Sequence, residues 1–155
     1  MQKDIFQAIR ESDIVAVTSI LAQNPQAINN QDQRGSTPLL LATYYGDVSI
    51  TKILLDQKPD LNAKDGMGNT VLMGVCFKGH LGITKMIIDA GADVNAMNAN
   101  NNTALSFAAM YGKTEIVKML LDAGADATIK DHKGMTALDH AKAGGMEGVI
   151  QILTN

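Results

Sequence analysis

GSTPLL at 35–40, GNTVLM at 68–73, NNTALS at 101–106 and GMTALD at 134–139 are four spellings of one phrase, and Thr37, Thr70, Thr103 and Thr136 within them stand 33 residues apart. A period of that length belongs to a stacked-repeat architecture, which constrains the fold far more than the chemistry. Gly46, Gly79, Gly112 and Gly145 each follow nine residues after a threonine. A second apolar segment comes next in every copy: VSITKILL at 48–55, LGITKMII at 81–88, TEIVKMLL at 114–121 and EGVIQIL at 147–153. DLNAKD at 60–65, DVNAMN at 93–98 and DATIKD at 126–131 then lead into the next copy without a linker.

Each copy reads as two short antiparallel helices and a turn. Thr37 can accept a backbone N–H as the helix N-cap, and Pro38 fits the first helical position, where its missing donor would be unpaired anyway. Leu39, Leu41 and Ala42 give the first helix an apolar face, Gly46 permits the reversal, and Ile50, Ile53, Leu54 and Leu55 form the inner stripe of the second. Neither helix is long enough to be stable alone. Gly91 and Gly124 suit the left-handed residue that closes a helix. Asn24-Pro25 and Lys58-Pro59 occupy that place in the two earlier copies, so the turn there is built differently. Asn24 tolerates a left-handed cap, whereas Lys58 would be strained by about 1 kcal/mol or would avoid that geometry. Met86 and Met119 recur at one place in the second helix, which assigns them to the core.

These residues resemble the ankyrin repeat, with T-P-L near the head, a glycine between the helices and G-A-D-V-N-A at the tail, written in full at 91–96. The resemblance covers essentially the whole chain. It implies an all-α solenoid of about five units joined by turn or β-hairpin-like loops: an N-terminal cap at 1–31, units at 32–64, 65–97 and 98–130, and a C-terminal cap at 131–155. The family's head reads T-P-L-H, but the histidine place here holds Leu40, Met73, Ser106 and Asp139. The hydrogen bonds credited to that histidine between neighbouring units are therefore in doubt, and packing by Leu40 and Met73 stands in for polar links.

The resemblance also implies a curved stack whose first helices line a concave face beside projecting turn tips, a surface that binds other macromolecules. Such a platform offers side chains at a fixed pitch and loses little entropy on binding. The two residues before each inter-helix glycine should end the first helix on that face: Tyr44-Tyr45, Phe77-Lys78, Met110-Tyr111 and Ala143-Gly144. Four of the chain's six aromatic residues fall in these places, so Tyr44, Tyr45, Phe77, Met110 and Tyr111 are the expected contact centre. Met67 at a turn tip is a flexible contact, and Arg34, Lys78 and Lys133 form a sparse cationic rim suited to an acidic or C-terminal peptide segment. Asp32, Asp65 and Asp131 serve the turns by accepting backbone N–H groups. The function read from the chain is non-catalytic binding of an unidentified protein partner. The alternative is a peptide-tail or small-molecule binder using the same groove, favoured by a compact pocket between Tyr45, Phe77 and Tyr111.

Other classes find little support. The 155 residues, 46% apolar, suit one soluble domain able to bury roughly two-thirds of its unfolded surface. A net charge of −3 supplies no broad positive field for nucleic acid or an anionic membrane. No stretch approaches the roughly 20 apolar residues of a membrane span. MQKDIFQAIR has no apolar core of a secretory signal, and the single Cys76 forms no internal disulfide, so a reducing, cytoplasmic location is expected. Asn101-Asn102-Thr103 spells a glycosylation acceptor but reads as a loop before a helix cap. His80, His132 and His140 form no constellation: His80 caps the second helix with its ring, His132 lies on a turn and His140 on the last first-helix. Asp139 and His140 point to different sides of a helix, Cys76 is a buried thiol, and no spacing suggests a metal, so no enzyme activity and no cofactor are expected.

At the ends, Gln7, Arg10, Glu11, Asp13, Thr18 and Ser19 give the first unit a polar outer face. A monomer is expected, with exposed Ile150 and Ile152 as the surface for any weak homodimer through the last unit. Gly144, Gly145 and Gly148 weaken that unit by about 1 kcal/mol each relative to alanine where they are interior. Amide hydrogen exchange is therefore expected to show residues 140–155 less protected than 70–120, and uniform protection would contradict this reading.

Overall fold

The computed structural model describes residues 3–155, and each of the four threonines caps a helix in it. Thr37, Thr70, Thr103 and Thr136 accept from the amide three residues on, at 3.2, 3.4, 3.2 and 3.2 Å. Asp4 makes the same bond to the Gln7 amide at 2.8 Å, and it stands 33 residues before Thr37. It is a fifth member of the column, spelled with a different capping residue. One such cap is worth about 1 kcal/mol.

The first helices are α1 (Ile5–Arg10), α3 (Pro38–Tyr44), α5 (Val71–Lys78), α7 (Ala104–Met110) and α9 (Ala137–Gly144). Their partners are α2 (Ile14–Gln23), α4 (Val48–Asp56), α6 (Leu81–Asp89), α8 (Thr114–Asp122) and α10 (Glu147–Thr154). A 3₁₀ turn at Pro25–Asn29 follows α2, and there is no strand among the described residues. First helices stack in the order α1, α3, α5, α7, α9, with α2 on α4, α6 on α8 and α8 on α10 behind them. The fold is the expected all-helical stack of helix pairs.

Its core consists of columns running along the stack. Ile9, Ala42, Val75, Ala108 and Ala141 form one column, Val17, Ile50, Ile83, Ile116 and Val149 a second, and Leu21, Leu54, Ile87 and Leu120 a third, all buried. Each full burial of a Leu or Ile side chain contributes about 1.5–3 kcal/mol, and each is completed by the pair next door. Buried Thr43, Thr51 and Thr84 do not break the pattern, because their hydroxyls donate to the carbonyls of Leu39, Asp47 and His80 at 2.9, 2.7 and 2.7 Å.

Polar joints run beside the apolar ones. At the turn tips the amides of Gly66, Ala99 and His132 donate to the carbonyls of Arg34, Met67 and Asn100, at 3.1, 3.2 and 3.0 Å. At the tails Asn29, Asn62 and Asn95 accept through Oδ1 from the amides of Asp60, Asp93 and Asp126, at 3.0, 2.9 and 2.7 Å. These bonds link adjacent pairs without a histidine in the head phrase. Within each tip Asp32, Asp65, Asn98 and Asp131 accept through Oδ1 from the amides two and four residues on, at 2.8–3.0 Å.

The inter-helix glycines do two things. Gly46, Gly79 and Gly112 take left-handed φ of 68, 80 and 68°, and each lies under the first residue of the next pair's second-helix turn. A Cβ on Gly46 would stand 2.9 Å from the His80 ring, on Gly79 3.1 Å from the Lys113 side chain, and on Gly112 2.9 Å from the Met146 sulfur. The expected ring cap by His80 is therefore not made: His80 occupies the N-cap of α6, but its ring packs over Gly46.

Three further expectations change, and Lys58 takes the strained one of its two alternatives. Asn24 is not left-handed; its φ is −140°, because Pro25 disfavours a helical residue before it, and the chain runs into the 3₁₀ turn. Lys58 does adopt φ +52° and accepts the strain, with the following Pro59 buried. Met86 and Met119 are half-buried on the flank of their helices, while Ile87 and Leu120 beside them fill the core. Ile150 and Ile152 are half-buried and packed on the core, so they are not the exposed surface expected for self-association.

Gly46 and Gly145 share φ +68°, yet only Gly46 has a neighbour where its Cβ would go. Gly145→Ala is expected to cost the left-handed penalty of about 1–2 kcal/mol, and Gly46→Ala to cost about 1–3 kcal/mol more through overpacking. Urea unfolding midpoints compare the two; equal losses would mean that the His80 contact carries no energy.

Candidate functional site

The first helices end where exposed rings gather. Tyr44 and Tyr45 close α3, Phe77 lies in the last turn of α5 and Tyr111 follows α7, with 58, 51, 48 and 44% of their surfaces exposed. The rings form two edge-to-face pairs: Tyr44 with Tyr45 at 5.4 Å between centroids, and Phe77 with Tyr111 at 4.8 Å. The second pair bridges α5 and α7, and such a contact is worth about 0.5–1.5 kcal/mol beyond its area. Lys78 places Nζ 4.2 Å from the Tyr44 centroid, a cation–π contact that ties α5 to α3.

These side chains line an open groove of about 1240 Å³ along the stack. Arg34, Tyr44, Tyr45, Met67, Phe77, Lys78 and Tyr111 lie in its wall. Half-buried Met110 and exposed Lys133 are not in that wall. The groove also takes in Phe6 and Phe107, so all six aromatic residues of the chain border it. Phe107 stands four residues after its capping threonine, in register with Leu41 and Gly74, on the inward side of the first helix. Counting that position, rather than only the pair before the glycine, would have found it. Phe6 and Arg10 belong to the groove because Asp4 starts a helix in the same register as the threonines.

The charges of the groove are asymmetric in their commitments. Asp4, Asp32 and Asp65 each give an oxygen to backbone amides: Asp4 to Gln7, Asp32 to Arg34 and Ser36, and Asp65 to Met67 and Asn69. Arg10 and Arg34 have no carboxylate within ion-pair distance among the described residues. Its carboxylates hold the turns through Oδ1 and keep their charge, so three cations, Arg10, Arg34 and Lys78, share the groove with three carboxylates.

The polar side chains elsewhere serve structure. Cys76 is fully buried in α5, and burial pushes its thiol far above the ordinary range, so it supplies no thiolate nucleophile. Among the described residues no three His, Cys, Asp or Glu side chains converge as metal ligands. His132 is exposed on its tip. His140 shows a contact that sequence reading missed: its Nε2 lies 2.6 Å from Asp131 Oδ2, with 11 and 7% of the two side chains exposed. Reading only the adjacent Asp139 hid this, since the partner is nine residues back on the tip. Asp139 instead completes a capping box with Thr136.

The family model described as Ankyrin repeats (3 copies) matches residues 5–98 and 75–155. A comparison with curated proteins returned no match. No helix among the described residues is long and apolar enough to cross a membrane.

Burial would raise the Asp131 carboxyl, but the Met135 amide, the His140 ring and the Lys133 amide together hold it below its usual value. A carboxylate depressed in the folded state stabilises above its unfolded pKa of about 3.9 and loses that contribution as pH falls through the folded value. Asp131→Asn is expected to cost about 1–3 kcal/mol at neutral pH, with the gap to wild type narrowing below about pH 4. Denaturant titrations at both pH values check it, and a gap independent of pH would remove the charged contact.

Proposed function

The chain belongs to the ankyrin-repeat family, and on that premise we propose that it is a non-catalytic module that binds a protein partner along the aromatic groove. Members of the family are generally protein–protein interaction modules and typically non-catalytic. The observation that carries the reading for this chain is the gathering of all six aromatic residues around one groove, four of them about half-exposed. Large rings bury much area for few rotatable bonds, and they are the usual centres of binding energy.

The contact surface proposed is Tyr44, Tyr45, Phe77 and Tyr111, with Phe107 and Met67 beside them and Arg10, Arg34 and Lys78 as its cations. Met110 and Lys133 fall on its flank. The partner is neither nucleic acid nor membrane: the overall charge is −3 and the groove mixes three cations with three carboxylates. A small-molecule site is the weaker reading, because Phe77 and Tyr111 close on each other and the groove stays open along four helix pairs. Cytoplasmic residence suits a chain whose one thiol is buried and reduced.

Affinity capture on the folded protein, followed by calorimetry with the captured partner, tests the proposal. Replacing Tyr44, Tyr45, Phe77 and Tyr111 by alanine is expected to weaken binding by about 2 kcal/mol or more, and Lys133→Ala by less than about 0.5 kcal/mol. Retention of full affinity by the quadruple variant, with its helical circular dichroism intact, would place the binding face elsewhere.

A further inference from the structure

The last helix pair answers its own tip carboxylate. Asp131 accepts through Oδ1 from the amides of Lys133 and Met135, at 2.9 and 3.0 Å, and its Oδ2 meets the His140 ring nitrogen at 2.6 Å. The same two positions, nine residues apart, hold Asp32 and Leu41, Asp65 and Gly74, and Asn98 and Phe107 in the three preceding pairs. Leu41 and Phe107 fill theirs with half-buried side chains, and Asn98 commits its Nδ2 to Asn69 Oδ1 at 2.9 Å. Asp65 and Gly74 pair a carboxylate with no side chain at all.

Asp65 is otherwise built as Asp131 is. Its Oδ1 accepts from the amides of Met67 and Asn69 at 2.8 and 2.9 Å, and its own amide donates to the Asn69 carbonyl at 3.0 Å, as that of Asp131 does to Met135 at 2.9 Å. Thr70 caps α5 as Thr136 caps α9. Tip and helix therefore repeat bond for bond, which sets Asp65 Oδ2 toward position 74 as Asp131 Oδ2 is set toward His140. Among the described residues Asp65 has no ion pair, and Lys78 leans on Tyr44 instead. Both Asp65 and Gly74 lie in the groove wall, and a Cβ on Gly74 would meet nothing within 4 Å. Gly82 is equally open but lies outside the groove; what distinguishes Gly74 is the carboxylate in register with it and the histidine that answers the equivalent carboxylate two units on.

We propose that Asp65 Oδ2, beside the open Gly74, receives an arginine side chain of the protein partner, in the place that the chain's own His140 takes against Asp131. This rests on the groove being the binding face. A positively charged N–H donor makes a shorter and stronger bond to an ionised carboxylate than a neutral donor does. The groove's charges balance, so its field selects nothing, and the preference is local to one oxygen. Leu41, Phe77 and Phe107 border the same groove, and a guanidinium stacks on aromatic rings and is less strongly hydrated than an ammonium.

The geometry is tested first, without a ligand. In Gly74→His the introduced imidazole is expected to titrate above the ordinary histidine value of about 6.5 in an NMR pH series, and to lose that rise when Asp65→Asn is added. Titration indifferent to Asp65 would overturn the equivalence with Asp131 and His140. The ligand is tested by selecting phage-displayed random linear peptides on the full folded chain, where selected peptides are expected to share an arginine. Their affinity is expected to fall about tenfold or more on Asp65→Asn and on Gly74→Leu, and to change less than about twofold on Asp32→Asn. Asp65→Asn keeps the tip intact, because Asn98 already holds the Asn100 and Asn102 amides in the same way. An equal loss from Asp32→Asn would make the effect one of overall charge and sink the site. If Asp65→Asn and Gly74→Leu leave affinity unchanged while Tyr44→Ala with Tyr45→Ala abolishes it, the site is wrong and the groove stands. If none of these matters, both readings fall. Selected peptides with no common basic residue overturn the proposed chemistry.

Discussion

No helix pair in this protein can bury its own apolar face. The helices run six to ten residues, below the length at which a helix persists in water, and each core side chain completes its burial on the pair alongside. The core is therefore a set of columns rather than a centre, and stability is a sum of neighbour terms along one dimension. Everything else follows from keeping those columns in register at 33 residues. The caps set where each helix starts, the tip and tail hydrogen bonds fix the spacing of pairs, and the inter-helix glycines let the next pair approach.

The glycines show how tightly that register is held. A left-handed residue could be supplied by asparagine, as Asn101 does on a tip where Gly35, Gly68 and Gly134 serve in the other copies. It cannot be supplied so at Gly46 or Gly112, where the next pair's His80 or Met146 fills the space of a Cβ. Asn101 takes the turn conformation in one copy although a Cβ on Gly35 or Gly68 would stand 2.9 or 2.7 Å from the backbone of the next tip, so the close approach of tips varies from copy to copy. Gly145 differs from Gly46 in having no such neighbour, and that difference separates backbone strain from packing.

The fold was legible because period, caps and turns all repeat, and each rests on local chemistry that one residue can announce. What escaped was nonlocal or carried by a substitute residue. Asp4 caps a helix as the threonines do without repeating their phrase, so Phe6 went unplaced and Arg10 was read onto the outer face, whereas both border the groove. The Asp131–His140 contact joins a tip to a helix nine residues on, a separation with no helical meaning. Met86 and Met119 recur faithfully, but recurrence marks a shared environment, which here is a half-buried flank. Lys78 was legible as a surface cation; that it leans on the Tyr44 of the neighbouring pair depends on the stacking distance.

A repeat protein poses the same structural problem several times within one chain, so its columns can be compared with each other. The core columns hold Ile, Val, Leu and Ala throughout, because the neighbour on each side leaves room for little else. The column four residues after the cap holds Ala8, Leu41, Gly74, Phe107 and His140, which share neither size, polarity nor helix propensity. Stacking makes no uniform demand there, and three of these residues, Leu41, Gly74 and Phe107, face the groove. The head-phrase column of Leu40, Met73, Ser106 and Asp139 diverges as well, with Met73 and Ser106 buried, so the two variable columns combine what neighbouring pairs pack against with what each pair presents.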